Sequence, residues 1–390
     1  MSFTSRCRAA VVLGVLFLST GSAGALAQAG APAAPASAAA PSALAELERV
    51  REESRIPGVA AAVLSGDSIV FSGAAGFADV EAGVKATPLT KFRLGSVSKP
   101  LTATLAAKLA RQGKLDLDRD VRGYVPSWPD KGTPITLRQL LGHFGGIRHY
   151  APKDFDRRQP GGPIDLRLYP DTDSMLAIFK DDPLVAPPGS KSSYSTFGYT
   201  LAAAAIEGAT GRRFADVMSD ELLQPLGLER EIVVDDIRAI IPHRAAPYDL
   251  AGDGEAAPPR SVVRAWPMNP AYKIAGGGYL SSAEALARFG GAVFAPGRLD
   301  RETLDLLFRE QATPDGKAAG IGLGWRLGRD SDGRRLLHHS GSQLGCRAHL
   351  VVYPDEKLSV AFLSNLTNVP DAVAPVGERL ASHFLPPKPR

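Results

Sequence analysis

Residues 96–109 read Ser96-Val97-Ser98-Lys99-Pro100-Leu101-Thr102-Ala103-Thr104-Leu105-Ala106-Ala107-Lys108-Leu109, and the fold follows from how this stretch is read. Leu101, Leu105 and Leu109 recur at four-residue spacing, the stripe of an amphipathic helix from Pro100 to Arg111, with Gly113 as a C-terminal stop. Proline is tolerated only near a helix's first turn, so the helix must begin close to Ser96. Ser96 and Lys99, three apart, then share one helical face. A serine hydroxyl attacks poorly until a base takes its proton, and a lysine can act as that base only if its surroundings pull its pKa below about 10.4. The start of a helix, with unpaired N–H groups and the positive end of the dipole, favours a developing anion. A serine three residues before a lysine is common enough by chance that the tetrad needs context from the rest of the chain.

Working outward, Leu44 to Arg55 has helical periodicity, and two strand-like runs, Val59–Leu64 and Ile69–Ser72, flank the hairpin signal Gly66-Asp67. The middle, from about Leu101 to Met268, reads as short helices and long Pro/Gly-rich loops, with helices at Thr136–Leu141, Phe197–Gly208 and Phe214–Leu223. After Gly276-Gly277-Gly278 comes a helix at Ser282–Phe289. Strands follow at Gly324–Leu327, Leu336–His339, Arg347–Tyr353 and Leu358–Leu363, with a turn at Pro354-Asp355 and a final helix over Pro370–Phe384. Strands at both ends with helices between imply an α/β (α+β) fold. One central antiparallel sheet is built from both termini and flanked by helices, with a mainly helical region inserted and the cleft at the seam. The expected parts are a sheet subdomain of about 44–95 and 275–390 and a helical subdomain of about 101–270.

At 390 residues and 44% hydrophobic composition the chain can bury a substantial core. Residues 1–27 read as a signal peptide: Arg6 and Arg8, an apolar run from Ala9 to Leu18, then Ala25-Leu26-Ala27 before Gln28. The apolar run is too short for a membrane anchor. A mitochondrial presequence is the weaker alternative, because the segment carries Arg and Ser and no acid; periplasmic or secreted location is the expectation. The Ala/Pro-rich segment within 28–43 reads as a tether before a domain spanning 44–390. Cys7 falls in the signal, which leaves Cys346 alone in the mature chain, with no internal disulfide and no sulfur-based zinc site. The net charge of +4 drops by two when Arg6 and Arg8 are lost, and the basic residues are dispersed among acids, which gives no nucleic-acid signature. Neither His-Glu-x-x-His nor Gly-x-Ser-x-Gly occurs, and His143 and His149 are too far apart for a His-x-x-x-His pair, so loop packing or capping suits them better than metal binding. Gly276-Gly277-Gly278 lacks the spacing of a phosphate loop and reads as a tight turn under the cleft.

Two further clusters could join the tetrad. Tyr194-Ser195-Thr196 follows the turn Pro187-Pro188-Gly189 and places a phenol that can relay a proton. His339-Ser340-Gly341-Ser342 ends a strand, where Gly341 lets a substrate lie close, Ser340 offers a hydroxyl, His339 an electrophile and the next backbone N–H an oxyanion donor. In this order the three clusters resemble the serine beta-lactamase and penicillin-binding protein superfamily, marked by S-x-x-K, then Y-x-N or S-x-N, then a K-T-G or H-T-G strand. The runs Ile135–His143, Gln224–Leu228 and Ala275–Ser281 look like landmarks of its class C branch. Ile147–Tyr150, Ser195–Thr200 and Tyr272–Ser281 look most like the mitochondrial serine beta-lactamase-like group and its bacterial relatives.

The resemblance covers about residues 45 to 385. It implies that Ser96 forms an acyl-enzyme with Lys99 as proton acceptor, Tyr194 as partner base and acid, and the N–H groups of Ser96 and Ser342 as the oxyanion hole. It places His339 where many relatives have lysine. Ser340, Gly341 and Thr196 line the substrate site, with Thr196 in place of the family's asparagine and Ser340 in place of its threonine. The missing asparagine weakens the case for efficient lactam turnover. The expectation is an exported serine hydrolase of amide or ester bonds, above all in a peptide or peptidoglycan-derived substrate, with no cofactor and no metal. Carboxylesterase or weak beta-lactamase activity is the alternative within the class, and a non-catalytic or filament-forming scaffold the alternative outside it. No integral membrane segment is expected once the signal is removed; a homo-oligomer or filament is compatible with the group it resembles.

Overall fold

The computed structural model describes residues 39–251, 261–367, 369 and 375–386. The signal reading, most of the tether and the start of the final helix call lie outside them. In chain order the elements begin with α1 (Ala39–Glu53), β1 (Gly58–Ser65), β2 (Ser68–Asp79), β3 (Val84–Lys85), β4 (Phe92–Arg93) and α2 (Ser98–Arg111). The middle holds α3 (Leu137–Leu141), α4 (Thr172–Leu176), α5 (Thr196–Thr210), α6 (Phe214–Met218), α7 (Gln224–Leu226), β5 (Val233–Val234), β6 (Tyr248–Ala251) and β7 (Ser261–Arg264). The chain closes with α8 (Ile274–Gly277), β8 (Tyr279–Ser281), α9 (Ala283–Gly291), α10 (Arg301–Phe308), β9 (Arg326–Arg329), β10 (Arg335–Gln343), β11 (Cys346–Tyr353), β12 (Leu358–Ser364) and α11 (Val376–Ser382).

The main sheet runs β3-β2-β1-β12-β11-β10-β9, and its central pair, β1 with β12, joins the N-terminal and C-terminal parts of the chain in antiparallel register from Val59↔Ser364 to Ser65↔Leu358. β1 is buried on both faces because it divides two cores. Val59, Ala61 and Val63 pack under α1 and α11 through Leu47, Val50, Val376 and Leu380. Ala60, Ala62 and Leu64 face Leu286 and Phe289 of α9 and the core that continues into the helical region. The expected sheet and helical subdomains thus share one continuous core on this side, and the described residues form a single compact unit. α1 starts at Ala39 and buries Ala43, so the last five residues read as tether are helical.

α5 has buried residues on every side, including Ala202 to Ala205 in succession, and it packs against α3, α4 and α8. Small side chains let a central helix be approached this closely. Phe214–Leu223, expected as one helix, is α6 followed by a π-helical turn at Ser219–Leu223. A second, three-stranded sheet, β4-β8-β5, lies just before the Ser96 segment. Arg93 in β4 is held by the fully buried Asp235 at 2.8 Å, which also pairs with Arg244, and reaches the Leu344 carbonyl at 2.9 Å. This network pins the backbone on the N-terminal side of the nucleophile segment to the β10–β11 turn. Among the described residues no helix is long and apolar enough to cross a membrane.

Candidate active site

A 3-10 turn at Gly95–Val97 leads into α2, so Ser96 lies one turn before Lys99 at the helix start, as the spacing predicts. Gly95 adopts a φ of +51°, and a Cβ there would meet the Ser342 nitrogen at 3.0 Å; a Cβ on Gly341 would lie 2.0 Å from the Leu94 carbonyl oxygen and 3.2 Å from the Ser96 nitrogen. Only glycine at both positions lets the nucleophile turn and the strand touch backbone to backbone. The backbone at Ser96 is thereby laid beside the backbone at Ser342.

The strand also aims them. β10 and β11 form a hairpin with a two-residue loop closed by the pair Gln343↔Cys346. In such a hairpin the closing residues exchange hydrogen bonds and the next pair, Ser342↔Arg347, does not, so the Ser342 N–H points away from β11. β9 pairs with Arg335–His338, which leaves that edge of His339–Gln343 without a strand partner among the described residues. Ser340 and Ser342 are exposed along this stretch, while His339, Gly341 and Gln343 are turned inward.

The side chains of Ser96, Lys99 and Tyr194 meet. Tyr194 Oη donates to Ser96 Oγ at 2.7 Å, and Lys99 Nζ lies 3.1 Å from the same oxygen. Lys99, fully buried, gives its other hydrogens to Thr196 Oγ1 at 3.1 Å and the Gly276 carbonyl at 2.8 Å. With those two positions fixed, the third points at Ser96; on the neutral amine it is a lone pair placed to accept the serine's proton. Burial pulls the Lys99 amine below its usual value, although Tyr194 pushes it back up. Burial alone would raise the Tyr194 phenol; the charge of Lys99 and the bonds with Lys99 and Ser96 outweigh it and hold the phenol below its usual value. The two therefore share a proton readily.

The remaining residues divide by role. Thr196, read from the sequence as a substrate contact, is buried with its hydroxyl committed to Lys99, because it opens α5 directly beside the amine. His339 is buried, its Nδ1 bonds the Ser340 carbonyl at 2.7 Å, and burial, aided by Lys99, drives its pKa down to about 3. Burial thus favours the neutral ring, whose Nδ1 donates to that carbonyl. Ser195 caps α5 by accepting from Gly198 N at 2.9 Å, and its hydroxyl donates to the Arg148 carbonyl.

His143 and His149 do the packing and capping expected of them, at a place the sequence could not reveal. His143 Nδ1 accepts from the Ser195 N–H and His149 Nδ1 from the Thr196 N–H, each at 3.2 Å. Their rings lie 4.4 and 5.3 Å from the Tyr194 ring and fix its direction. Gly276-Gly277-Gly278, read as a tight turn, instead closes the short helix α8, with Gly278 as its C-cap, and the Gly276 carbonyl accepts from Lys99. Among the described residues no group of three or more His, Cys, Asp or Glu is placed to hold a metal.

A family model described as Beta-lactamase matches residues 44–382. The mitochondrial serine beta-lactamase-like protein LACTB of Homo sapiens is 28% identical over 396 residues, covering 80% of this chain and 71% of the relative. Esterase EstB of Burkholderia gladioli is 31% identical over 310 residues, covering 72% and 77%. The solved structure of the D-amino acid amidase from Ochrobactrum anthropi SV3 complexed with L-phenylalanine superposes with a TM-score of 0.72 over 88% of this chain and 98% of the amidase; at 21% identity it speaks for the fold alone.

Proposed function

This chain belongs to the beta-lactamase family, and from that premise we propose that it is an exported serine hydrolase that cleaves amide or ester bonds through an acyl-enzyme on Ser96, with peptide or peptidoglycan-derived acyl donors as its substrates. The observation that carries the proposal is the single oxygen, Ser96 Oγ, held within hydrogen-bond reach of both Tyr194 and Lys99 beside an open strand edge.

Ser96 Oγ attacks the carbonyl carbon as its proton passes to the Lys99–Tyr194 pair. The carbonyl oxygen becomes an oxyanion between the Ser96 and Ser342 N–H groups. Tyr194 returns the proton to the leaving nitrogen or oxygen as the bond to it breaks. Water then attacks the acyl-enzyme, the same pair takes its proton and passes it to Ser96 Oγ as the bond from that oxygen to the acyl carbon breaks, and the acid departs. A substrate lying along His339–Gln343 adds hydrogen bonds to the free edge. With Thr196 occupied by Lys99, no side-chain amide is supplied at that position to hold an acylamino group, which argues against efficient lactam turnover. The 31% identity to an esterase supports ester cleavage as a second reading on the same machinery.

The test is covalent labelling with a fluorophosphonate, followed by assay against nitrocefin, a D-Ala-D-Ala peptide, internally quenched L-peptides and a nitrophenyl ester. Ser96→Ala should abolish both labelling and turnover, and undiminished labelling of that variant would refute the nucleophile. Replacing Lys99 by Ala should reduce kcat/KM by about 10²–10⁴, the usual worth of a general base.

A further inference from the structure

At the Gln343 end of the open strand edge lies a cavity that the acyl-transfer steps do not use. It encloses about 540 Å³, and Phe155, Leu166, Trp266, Pro267 and Leu344 form most of its wall. Trp266 is 66% exposed, Leu166 51% and Phe155 38%. Single apolar side chains on a surface need no explanation, but three from segments distant in the sequence, all lining one hollow, do. Of the two charged residues that line it, Arg157 lies over the Trp266 ring at 4.6 Å, and burial raises the carboxyl of Asp165. The segments that carry these residues are tied to one another. Asn269 donates its N–H to the Asp165 carbonyl at 2.6 Å and its Nδ2 to the Arg167 carbonyl at 2.7 Å, while Arg93 donates to the carbonyls of both Leu344 and Met268. The hollow is therefore preformed, as small-molecule sites usually are.

Both sides of the catalytic centre lead to it. On the sheet side Leu344 follows Ser342 by two residues, so the two backbones are within about 7 Å of each other. On the helical side the Tyr194 ring meets His149 at 5.3 Å, His149 meets Tyr150 at 4.2 Å, and Tyr150 meets Phe155 at 5.7 Å. The cavity is thus two residues from the Ser342 N–H but three ring contacts from the phenol. The phenol stands towards the other end of the edge, where Arg326, the cross-strand partner of His338, is close enough for its charge to be felt by Tyr194. Since Tyr194 returns its proton to the leaving group, the part of a substrate that runs past Ser342 to Leu344 is its acyl portion.

We propose that this cavity is an acyl-side specificity pocket for an apolar group, aromatic or branched alkyl, carried about 6–8 Å from the scissile carbonyl. In an ester this is a ring at the end of a five-carbon acyl chain. Seating it there takes the ring and the exposed faces of Trp266, Leu166 and Phe155 out of water together, which is the driving force. The inference rests on the acyl-enzyme reading for its chemistry and on the cavity alone for its binding.

Binding and turnover are therefore measured separately. Binding is followed by tryptophan fluorescence of the Ser96→Ala protein, because Trp266 is exposed at the cavity whereas Trp128 and Trp325 are buried. Titration with 5-phenylpentanamide should shift the emission to the blue and saturate, butyramide should leave it unchanged, and Trp266→Phe, which keeps the wall apolar, should abolish the signal. With Ser96 intact, kcat/KM for p-nitrophenyl 5-phenylpentanoate should exceed that for p-nitrophenyl butyrate by about 10- to 100-fold, the worth of burying one phenyl-sized group. Leu166→Gln combined with Trp266→Gln should lower that ratio about tenfold, and because both side chains are exposed the fold is not at stake. The same pair should leave the preference between phenylalkyl and ethyl butyrates, which differ only in the alcohol, where it was. A ratio that survives the double substitution, or the absence of a saturable signal, overturns the pocket. A signal with phosphatidylglycerol vesicles but none with the amide would mark a lipid-facing patch and overturn it as well. Binding of the ring without hydrolysis of either ester would sink the hydrolase reading and leave the pocket standing; hydrolysis without a preference for the ring would do the reverse.

Discussion

Thr196 Oγ1 and the Gly276 carbonyl each fix one hydrogen of Lys99, and the direction they leave open is the one that faces Ser96. Thr196→Val removes one of these anchors while keeping the shape, so kcat should fall about tenfold, the worth of one hydrogen bond to a charged group, with KM little changed; an unchanged kcat in steady-state assays would show that Gly276 alone suffices. His339 carries the second residue-scale prediction. Because burial and Lys99 hold it at about 3, it stays neutral from pH 5 to 8, and the kcat/KM profile should show no inflection near 6.5 that belongs to this ring. His339→Asn should lower activity without moving the profile, whereas loss of an inflection near 6.5 in that variant would restore a charged role. That Ser96 and Lys99 would meet was legible from helical spacing, whereas Tyr194 was singled out by the resemblance of the three ordered clusters and not by its own surroundings. The contribution of Thr196 was not legible, because it depends on two segments 97 residues apart meeting at an amine.

The nucleophile turn is an element held from both sides. Gly95 and Gly341 let it touch β10, and the Arg93–Asp235–Arg244 network anchors the strand before it. Asp235 is fully buried between two guanidinium groups, so Asp235→Ala leaves both charges without their counter-ion. The expected cost is about 3–5 kcal/mol in urea unfolding, and Asp235→Asn should recover part of it; a loss below about 1 kcal/mol would mean that the network contributes little. None of this network could be read from the sequence, since Arg93 belongs to one two-residue strand and Asp235 directly follows another, and neither has a periodicity of its own. The hairpin of β1 and β2 was legible from Gly66-Asp67 between apolar runs. β10 was foreseen only from Leu336 to His339 and runs to Gln343, because its second half is polar and glycine-bearing, and its edge is left without a strand partner at the site.

At the scale of the whole molecule, the histidines make stability depend on pH in a window above that of the paired carboxylates, opposed among the described residues only by the carboxyls of Asp165 and Glu378, which burial raises. Burial holds His149 and His338 at about 4 and His339 and His349 at about 3, and His143 well below its usual value. In the unfolded chain each titrates near 6.5. As the pH falls from about 6.5 towards 4.5, the unfolded state takes up protons that the folded state refuses, so stability is lost on acidification and regained on raising the pH. The paired carboxylates with lowered pKa, such as Glu46 and Asp79, act in the same direction only at lower pH, where they begin to protonate. Two of the histidines can be removed without touching the site: His338 and His349 lie on β10 and β11 with ring centroids 5.9 Å apart, and His349 Nδ1 has no hydrogen-bond partner. Urea-derived stability should therefore decline between pH 6.5 and 4.5 in the wild type. The double substitution His338→Asn and His349→Asn should flatten that slope by the equivalent of about two protons, whatever its effect on stability at pH 8. An unaltered slope would mean that these two rings are protonated inside the folded sheet.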